Sequence, residues 1–150
     1  MIRVERRVRA SPRTVYRYLT ESAAWSRWQG ESAEIEPVVG GRFRMRMANG
    51  LVAEGEFIEL VADARVVFTW GWAGDLAVPP GSSTVEVDLV PDEDGTVIRL
   101  SHHGLPPASR PVHQVGWEHY LDRLAALADG RDPGPDPGPP PSPTGDSGPA

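Results

Sequence analysis

Arg42-Phe43-Arg44-Met45-Arg46-Met47 decides the fold. Charged and apolar side chains alternate through this stretch. In an extended chain, successive side chains point to opposite faces, so Phe43, Met45 and Met47 share one face and the three arginines share the other. A helix would need apolar residues three and four apart instead. The strand-like reading continues downstream through 52–60, 65–72, 84–90 and 96–102, and Asn49-Gly50 and Asp92-Glu93-Asp94-Gly95 supply turns between runs. Connections this short join neighbouring strands as antiparallel hairpins. Upstream, Ile2, Val4, Val8 and Ala10 alternate with Arg3, Glu5, Arg7 and Arg9, which adds an N-terminal strand. The pattern predicts a curved antiparallel sheet of six to seven strands.

Helical spacing appears in three places. Ser11 can cap the free amides of a helix that Pro12 begins, with Val15, Tyr16 and Leu19 as its apolar stripe and an end near Thr20. A second short helical piece is expected over 23–28, ended by Gly30. From 110 to 128, His113, Trp117, Tyr120, Leu121, Leu124 and Ala128 fall within one broad stripe, so a long C-terminal helix lays that stripe on the sheet. The expected class is α+β, with the sheet wrapped around that helix and two short helices following the first strand.

The folded part is expected to occupy residues 1–128. From Asp129 the chain holds half of its 16 prolines and no apolar side chain larger than alanine, so 129–150 is expected to be a disordered, polyproline-rich extension that cannot offset its ordering entropy by burial. The net charge of -6 lies about half in this extension, and all 15 basic residues are arginines without a clustered basic face, which argues against a nucleic-acid partner. With no cysteine there is no disulfide framework and no thiolate metal site. The start of the chain lacks an apolar leader and no stretch approaches the ~18 apolar residues of a membrane span, so a cytoplasmic protein is expected. The arginine-only basic set, rich in alanine, glycine and proline company, points to a GC-rich bacterial source.

Several short signatures carry a family resemblance. They are Ala10-Ser11-Pro12-Arg13-Thr14-Val15-Tyr16, Trp25-Ser26-Arg27-Trp28, Gly40-Gly41-Arg42-Phe43, Val67-Phe68-Thr69-Trp70, Ser83-Thr84-Val85, His102-His103-Gly104-Leu105 and His113-Gln114-Val115-Gly116-Trp117 followed by Leu121 and Leu124. In this order and spacing the chain resembles the START-like (SRPBCC) superfamily and, within it, the homologues of the activator of heat shock protein 90 ATPase. The likeness covers residues 1 to about 128. It implies the helix-grip fold and a ligand cavity between sheet and helix, in a superfamily that includes lipid and hormone carriers, aromatic polyketide cyclases and co-chaperone domains. The loop over 71–81 and the proline-rich tail depart from the family pattern.

Five tryptophans in so small a domain supply rings that either fill a core or line such a cavity. Trp25, Trp28, Phe43, Met45, Phe68, Trp70, Trp72, His102, His113, Trp117, Tyr120 and Leu121 are the cavity candidates, with Trp28 and Trp72 nearest an entrance because each borders a loop. A flat or greasy ligand would gain about 25 cal/mol per Å² buried there. His102 shares strand parity with Ile98 and Leu100 and should point inward, while His103 points outward; His113 lies one turn before Trp117 and can face His102.

No metal is expected, because His113 and His119 are six residues apart rather than four and no carboxylate stands at a familiar ligand offset from His102-His103. No nucleophile elbow, thiol or lysine offers covalent catalysis, and no cofactor is implied. The leading expectation is non-catalytic binding of a small hydrophobic or aromatic molecule. The alternatives are a co-chaperone-like protein-interaction domain using Arg42, Arg44 and Arg46 on the sheet surface, and a cyclase-like enzyme using the cavity histidines. An exposed sheet edge leaves room for a homodimer.

Overall fold

A computed structural model describes residues 1–140 of the chain. The elements run β1 (Ile2–Val8), α1 (Pro12–Tyr18), α2 (Ser22–Trp25), β2 (Ser32–Ile35), β3 (Arg42–Arg46), β4 (Val52–Val61), β5 (Arg65–Trp72), β6 (Ser83–Asp92), β7 (Gly95–His103), a single 3-10 turn (Pro107–Ser109) and α3 (Arg110–Ala128). All seven strands form one antiparallel sheet in the order β1-β7-β6-β5-β4-β3-β2. Strands β2 to β7 are thus a meander, and β1 closes on β7 with Ile2 opposite His102 and Val8 opposite Thr96.

The alternation that decided the fold is realised in full: Phe43 and Met45 are buried while Arg42, Arg44 and Arg46 are exposed. Register carries it across neighbours, since Arg44 stands between Glu34 of β2 and Glu54 of β4. The sheet bends where the β4–β5 pairing slips between Phe57 and Glu59, and there the Glu56 N–H donates to the Thr69 hydroxyl (2.9 Å). A bulge of this kind sharpens local twist and lets a sheet curl around a helix. Outside the curl, Arg65 donates to Glu59, Asp88 and Glu86 (2.6, 2.7 and 2.7 Å), clamping β4, β5 and β6 together.

The short helices differ slightly from expectation. Ser11 caps α1 through the Thr14 N–H (3.3 Å), but the helix ends at Tyr18, where the Thr20 hydroxyl donates back to the Tyr16 carbonyl. The second helix covers only Ser22–Trp25; the following residues turn, and the Trp28 indole N–H donates to the Tyr18 carbonyl (2.9 Å). At the sheet edge, β2 is four residues long and its Ile35 N–H donates to Ser22 (3.0 Å), which blunts that edge as a template for another strand.

The tail also differs. Residues 129–140 make specific contacts with the domain: Asp129 accepts from the Arg9 N–H (2.8 Å), and Asp136 is enclosed between α3 and the loop before β2. Composition hides this because one well-received carboxylate anchors a segment that lacks apolar side chains. The remainder of the expected disordered extension, 141–150, lies outside the described residues.

Candidate functional site

All twelve cavity candidates come together in one layer between the sheet's inner face and α3. None is more than 2% exposed. Strands β3 and β5 send Phe43, Phe68, Trp70 and Trp72 upward at period two, and α2 inserts Trp25 over them. Trp25 stacks on Trp28 at 5.3 Å between centroids, Phe43 meets Phe68 edge-on at 5.1 Å, and Trp70 meets Trp117 of α3 at 5.2 Å. These are the separations at which aromatic pairs attract beyond simple area burial. Trp28 and Trp72 border loops in the sequence yet are only 1% exposed, so they belong to the layer's interior rather than to an entrance.

Around the two buried histidines the polar atoms form two short chains. The Trp117 indole N–H donates to Nδ1 of His102 (2.9 Å), and Nε2 of His102 lies 2.8 Å from the Ser83 hydroxyl, which donates to the Trp70 carbonyl (2.9 Å). Indole nitrogen can only donate, so Nδ1 of His102 carries no proton, Nε2 does, and the ring is neutral. In the second chain the Trp72 indole donates to Nε2 of His113 (3.0 Å), leaving Nδ1 to donate to the Ser109 carbonyl (2.7 Å).

The two imidazoles stand 5.5 Å apart, edge to face. His102 therefore points inward from β7, while His103 is partly exposed, 3.7 Å from Glu86 on the outer face. Burial holds the His102 pKa down to about 3, with the neighbouring His113 and then His103 pushing the same way. Burial likewise raises the Tyr120 phenol well above its ordinary range.

Both nitrogens of each histidine are engaged in hydrogen bonds. What the arrangement does chemically is satisfy polar atoms deep in an aromatic layer, where an unmet donor costs ~1–3 kcal/mol. Among the described residues two buried side-chain atoms lack partners, Nε2 of Gln29 and Nε1 of Trp70. The Gln29 carbonyl oxygen accepts from the Trp25 indole (2.9 Å), a role that no sequence pattern signalled.

The protein-contact candidates Arg42, Arg44 and Arg46 lie on the opposite, outer face. They do not form an isolated positive stripe, because carboxylates of β2 and β4 interleave with them: Arg42 stands opposite Glu56, and Arg44 approaches Glu54 at 3.7 Å. Beside them opens a groove of about 750 Å³, lined by Glu34, Glu36, Arg42, Arg44, Glu54 and Glu56, with Pro80-Gly81 at its wall. That wall is the end of the loop that departs from the family pattern. It closes on itself through Asp75, which accepts from the Ala77 N–H, and through the Trp72 N–H donating to the Val78 carbonyl.

A seven-stranded antiparallel sheet curled around one long C-terminal helix, with a ring-filled layer between them, is the helix-grip architecture of START-like domains. The chain belongs to the family described as Activator of Hsp90 ATPase homolog 1-like protein, whose model matches residues 9–129. It is similar to an AHSA1-like protein of Rhizobium etli, 44% identical over 91% of this chain and 86% of that one, with a TM-score of 0.70. It is also similar to a protein of Mesorhizobium loti, 27% identical over 87% of this chain and 98% of that one, TM-score 0.76. An HSP90 activator from Plasmodium falciparum, 21% identical over 84% and 94% of the respective chains with a TM-score of 0.69, shares the fold. No curated protein matches the chain. Among the described residues, no helix is long and apolar enough to cross a membrane.

Proposed function

We propose that this chain is a non-catalytic, co-chaperone-like interaction domain that meets a protein partner through the outer face of β2, β3 and β4. One observation carries the reading: the residues expected to line a cavity are packed against each other, whereas the groove with Arg42, Arg44 and their interleaved glutamates is open to solvent. Alternating charge of this kind selects a partner of complementary mixed sign rather than a purely acidic one. Its contribution is to association rate and specificity more than to affinity. The family description, and the name of the Plasmodium falciparum relative, suggest an Hsp90-type chaperone as the first partner to try.

The test is the ATPase rate of a purified Hsp90-type chaperone with the full chain, paired with calorimetric titration. Stimulation and binding are expected, and both should be lost when Arg42, Arg44 and Arg46 are changed to Glu with the near-ultraviolet dichroism unchanged. Absence of both with the native chain sinks the reading.

The buried, unpartnered Nε1 of Trp70 favours a second reading, a small aromatic or hydrophobic ligand bearing one hydrogen-bond acceptor and held within the ring layer. Native mass spectrometry separates the two. An extra mass that leaves only on unfolding supports the ligand, and a bare chain with chaperone binding supports the surface.

A further inference from the structure

Where α3 ends, the chain doubles back. Gly130, at φ +85°, closes the helix, with its own N–H donating to Leu127 (3.1 Å) and the Arg131 N–H donating to Ala126 (2.8 Å). This is the Schellman arrangement, and it directs the following residues back along the helix. Those residues read Asp132-Pro133-Gly134-Pro135-Asp136-Pro137-Gly138, so one three-residue unit occurs twice, four positions apart. Both copies fold alike: Asp132 accepts from the Gly134 N–H and Asp136 from the Gly138 N–H, each at 2.9 Å. They differ in setting, since Asp132 is exposed and the Asp136 side chain is 0% exposed.

Asp136 is received by groups far away in sequence. The Gly30 N–H donates to its Oδ2 (3.0 Å), and Nε2 of His119 donates to its Oδ1 (2.8 Å). Nε of Arg123 stands 3.8 Å from Oδ1. The guanidinium itself donates to the carbonyls of Trp28 (3.0 Å) and Arg27 (3.3 Å) in the domain, and to Gly134 (2.7 Å) and Pro133 (3.3 Å) in the tail. A buried carboxylate is tolerated only when donors and an opposite charge meet it, and here they do.

The receiving side is built by the domain. Gly30 adopts φ +72°, and a Cβ there would lie 2.5 Å from the Arg46 carbonyl oxygen, so only glycine can hold that amide in place. Beside the seated turn a groove of about 350 Å³ continues between the tail and the loop of Ser26, Arg27 and Glu31.

We propose that Gly30, His119 and Arg123 form a recognition site for an aspartate-proline-glycine turn, which the chain fills with its own Asp136-Pro137-Gly138. The turn presents its carboxylate on a backbone whose φ is pre-set by proline, so little conformational freedom is lost on seating. Tethering supplies the ligand at high effective concentration, and the same turn offered in trans competes for the site. The site shares no residue with the outer-face groove, so this inference stands or falls separately from the interaction reading above.

The experiment uses the full chain with Asp132→Asn and Asp136→Asn together, so that neither unit carries a carboxylate. Gly30 amide exchange is expected to accelerate about tenfold or more relative to the native chain, as the loss of a charge-assisted hydrogen bond implies. A synthetic peptide of residues 131–140 should then restore Gly30 protection saturably and shift the His119 ring signals, whereas the same peptide with both aspartates changed to asparagine should not. Equal effects of the two peptides, no effect of either, or unchanged Gly30 exchange in the variant would overturn the proposal. A Gly30 signal in the native chain that depends on protein concentration would assign the turn to a second copy and overturn the occupancy within one chain.

Discussion

Trp117 donates its indole N–H to Nδ1 of His102 across 2.9 Å, joining the long helix to strand β7 through the middle of the aromatic layer. That bond requires a neutral imidazole, and burial keeps it neutral by holding the pKa at about 3 against an ordinary 6.5. As pH falls below 6.5 the unfolded chain binds a proton on this ring, while the native chain does so only near 3. Native stability at His102 is therefore complete above 6.5 and is lost progressively between 6.5 and 3, by up to ~1.4 kcal/mol per pH unit. Urea unfolding at a series of pH values checks this, and the His102→Gln variant should show a shallower acid slope.

Trp117→Phe and Trp72→Phe each retain a buried ring but remove the donor to a histidine. Each should cost ~1–3 kcal/mol, reflecting an imidazole nitrogen left unmet in the interior. With both of its nitrogens bonded at 1% exposure, His102→Ala should lower stability by roughly 2–4 kcal/mol in chemical denaturation.

Gly55→Ala tests the close approach of β4 to β5. A Cβ at this position would collide with the Thr69 carbonyl oxygen and meet the Phe43 ring at 2.5 Å. The β4–β5 ladder or the ring must shift, and a loss of about 2 kcal/mol or more is expected by thermal unfolding. A change within about 0.5 kcal/mol would show that the close approach does not exist.

Arg65→Met removes the cation shared by Glu59, Asp88 and Glu86 and leaves three carboxylates facing one another on the outer sheet. These groups are partly solvated, so the expected loss is modest, about 1–2 kcal/mol. It should shrink as salt is added, because screening weakens the residual repulsion. Paired melts at low and high ionic strength report it.

Acid should release the tail. Burial alone would raise the Asp136 pKa, but the hydrogen bonds from His119, Gly138 and Gly30 outweigh it and bring the carboxyl below its ordinary 3.8. Its contribution is thus present above 3.8 and disappears as pH falls through the lower native value. Gly30 amide protection should persist at pH 3.8 and vanish in stronger acid, as followed by hydrogen exchange.

The parts of the molecule that periodicity governs were readable in advance. The alternation at Arg42–Arg46 placed Phe43 and Met45 inside, and the helical stripe placed α3 at 110–128. Parity likewise turned His102 inward and His103 outward. The pairings that complete the ring layer were not readable, because a tryptophan's donor finds its partner through tertiary packing: Trp72 and His113 are 41 residues apart.

The carboxylate site was missed for a related reason. Gly30 and Asp136 are separated by 106 positions, and Arg123, a charged residue at 8% exposure, breaks the rule that arginines mark a helix's wet side. The proline-rich composition around Asp136 carries no signal that its carboxylate is enclosed.

The aromatic layer makes the domain its own optical probe. All five tryptophans are at most 2% exposed, and Trp25, Trp28, Trp70, Trp72 and Trp117 each lie within 5.4 Å of another indole, centroid to centroid. Excited states on rings this close couple, so the near-ultraviolet dichroism reports the mutual orientation of indoles from α2, β5 and α3 rather than any single chromophore. Any event that parts the helix from the sheet changes that signal, and separation can be followed in unlabelled protein.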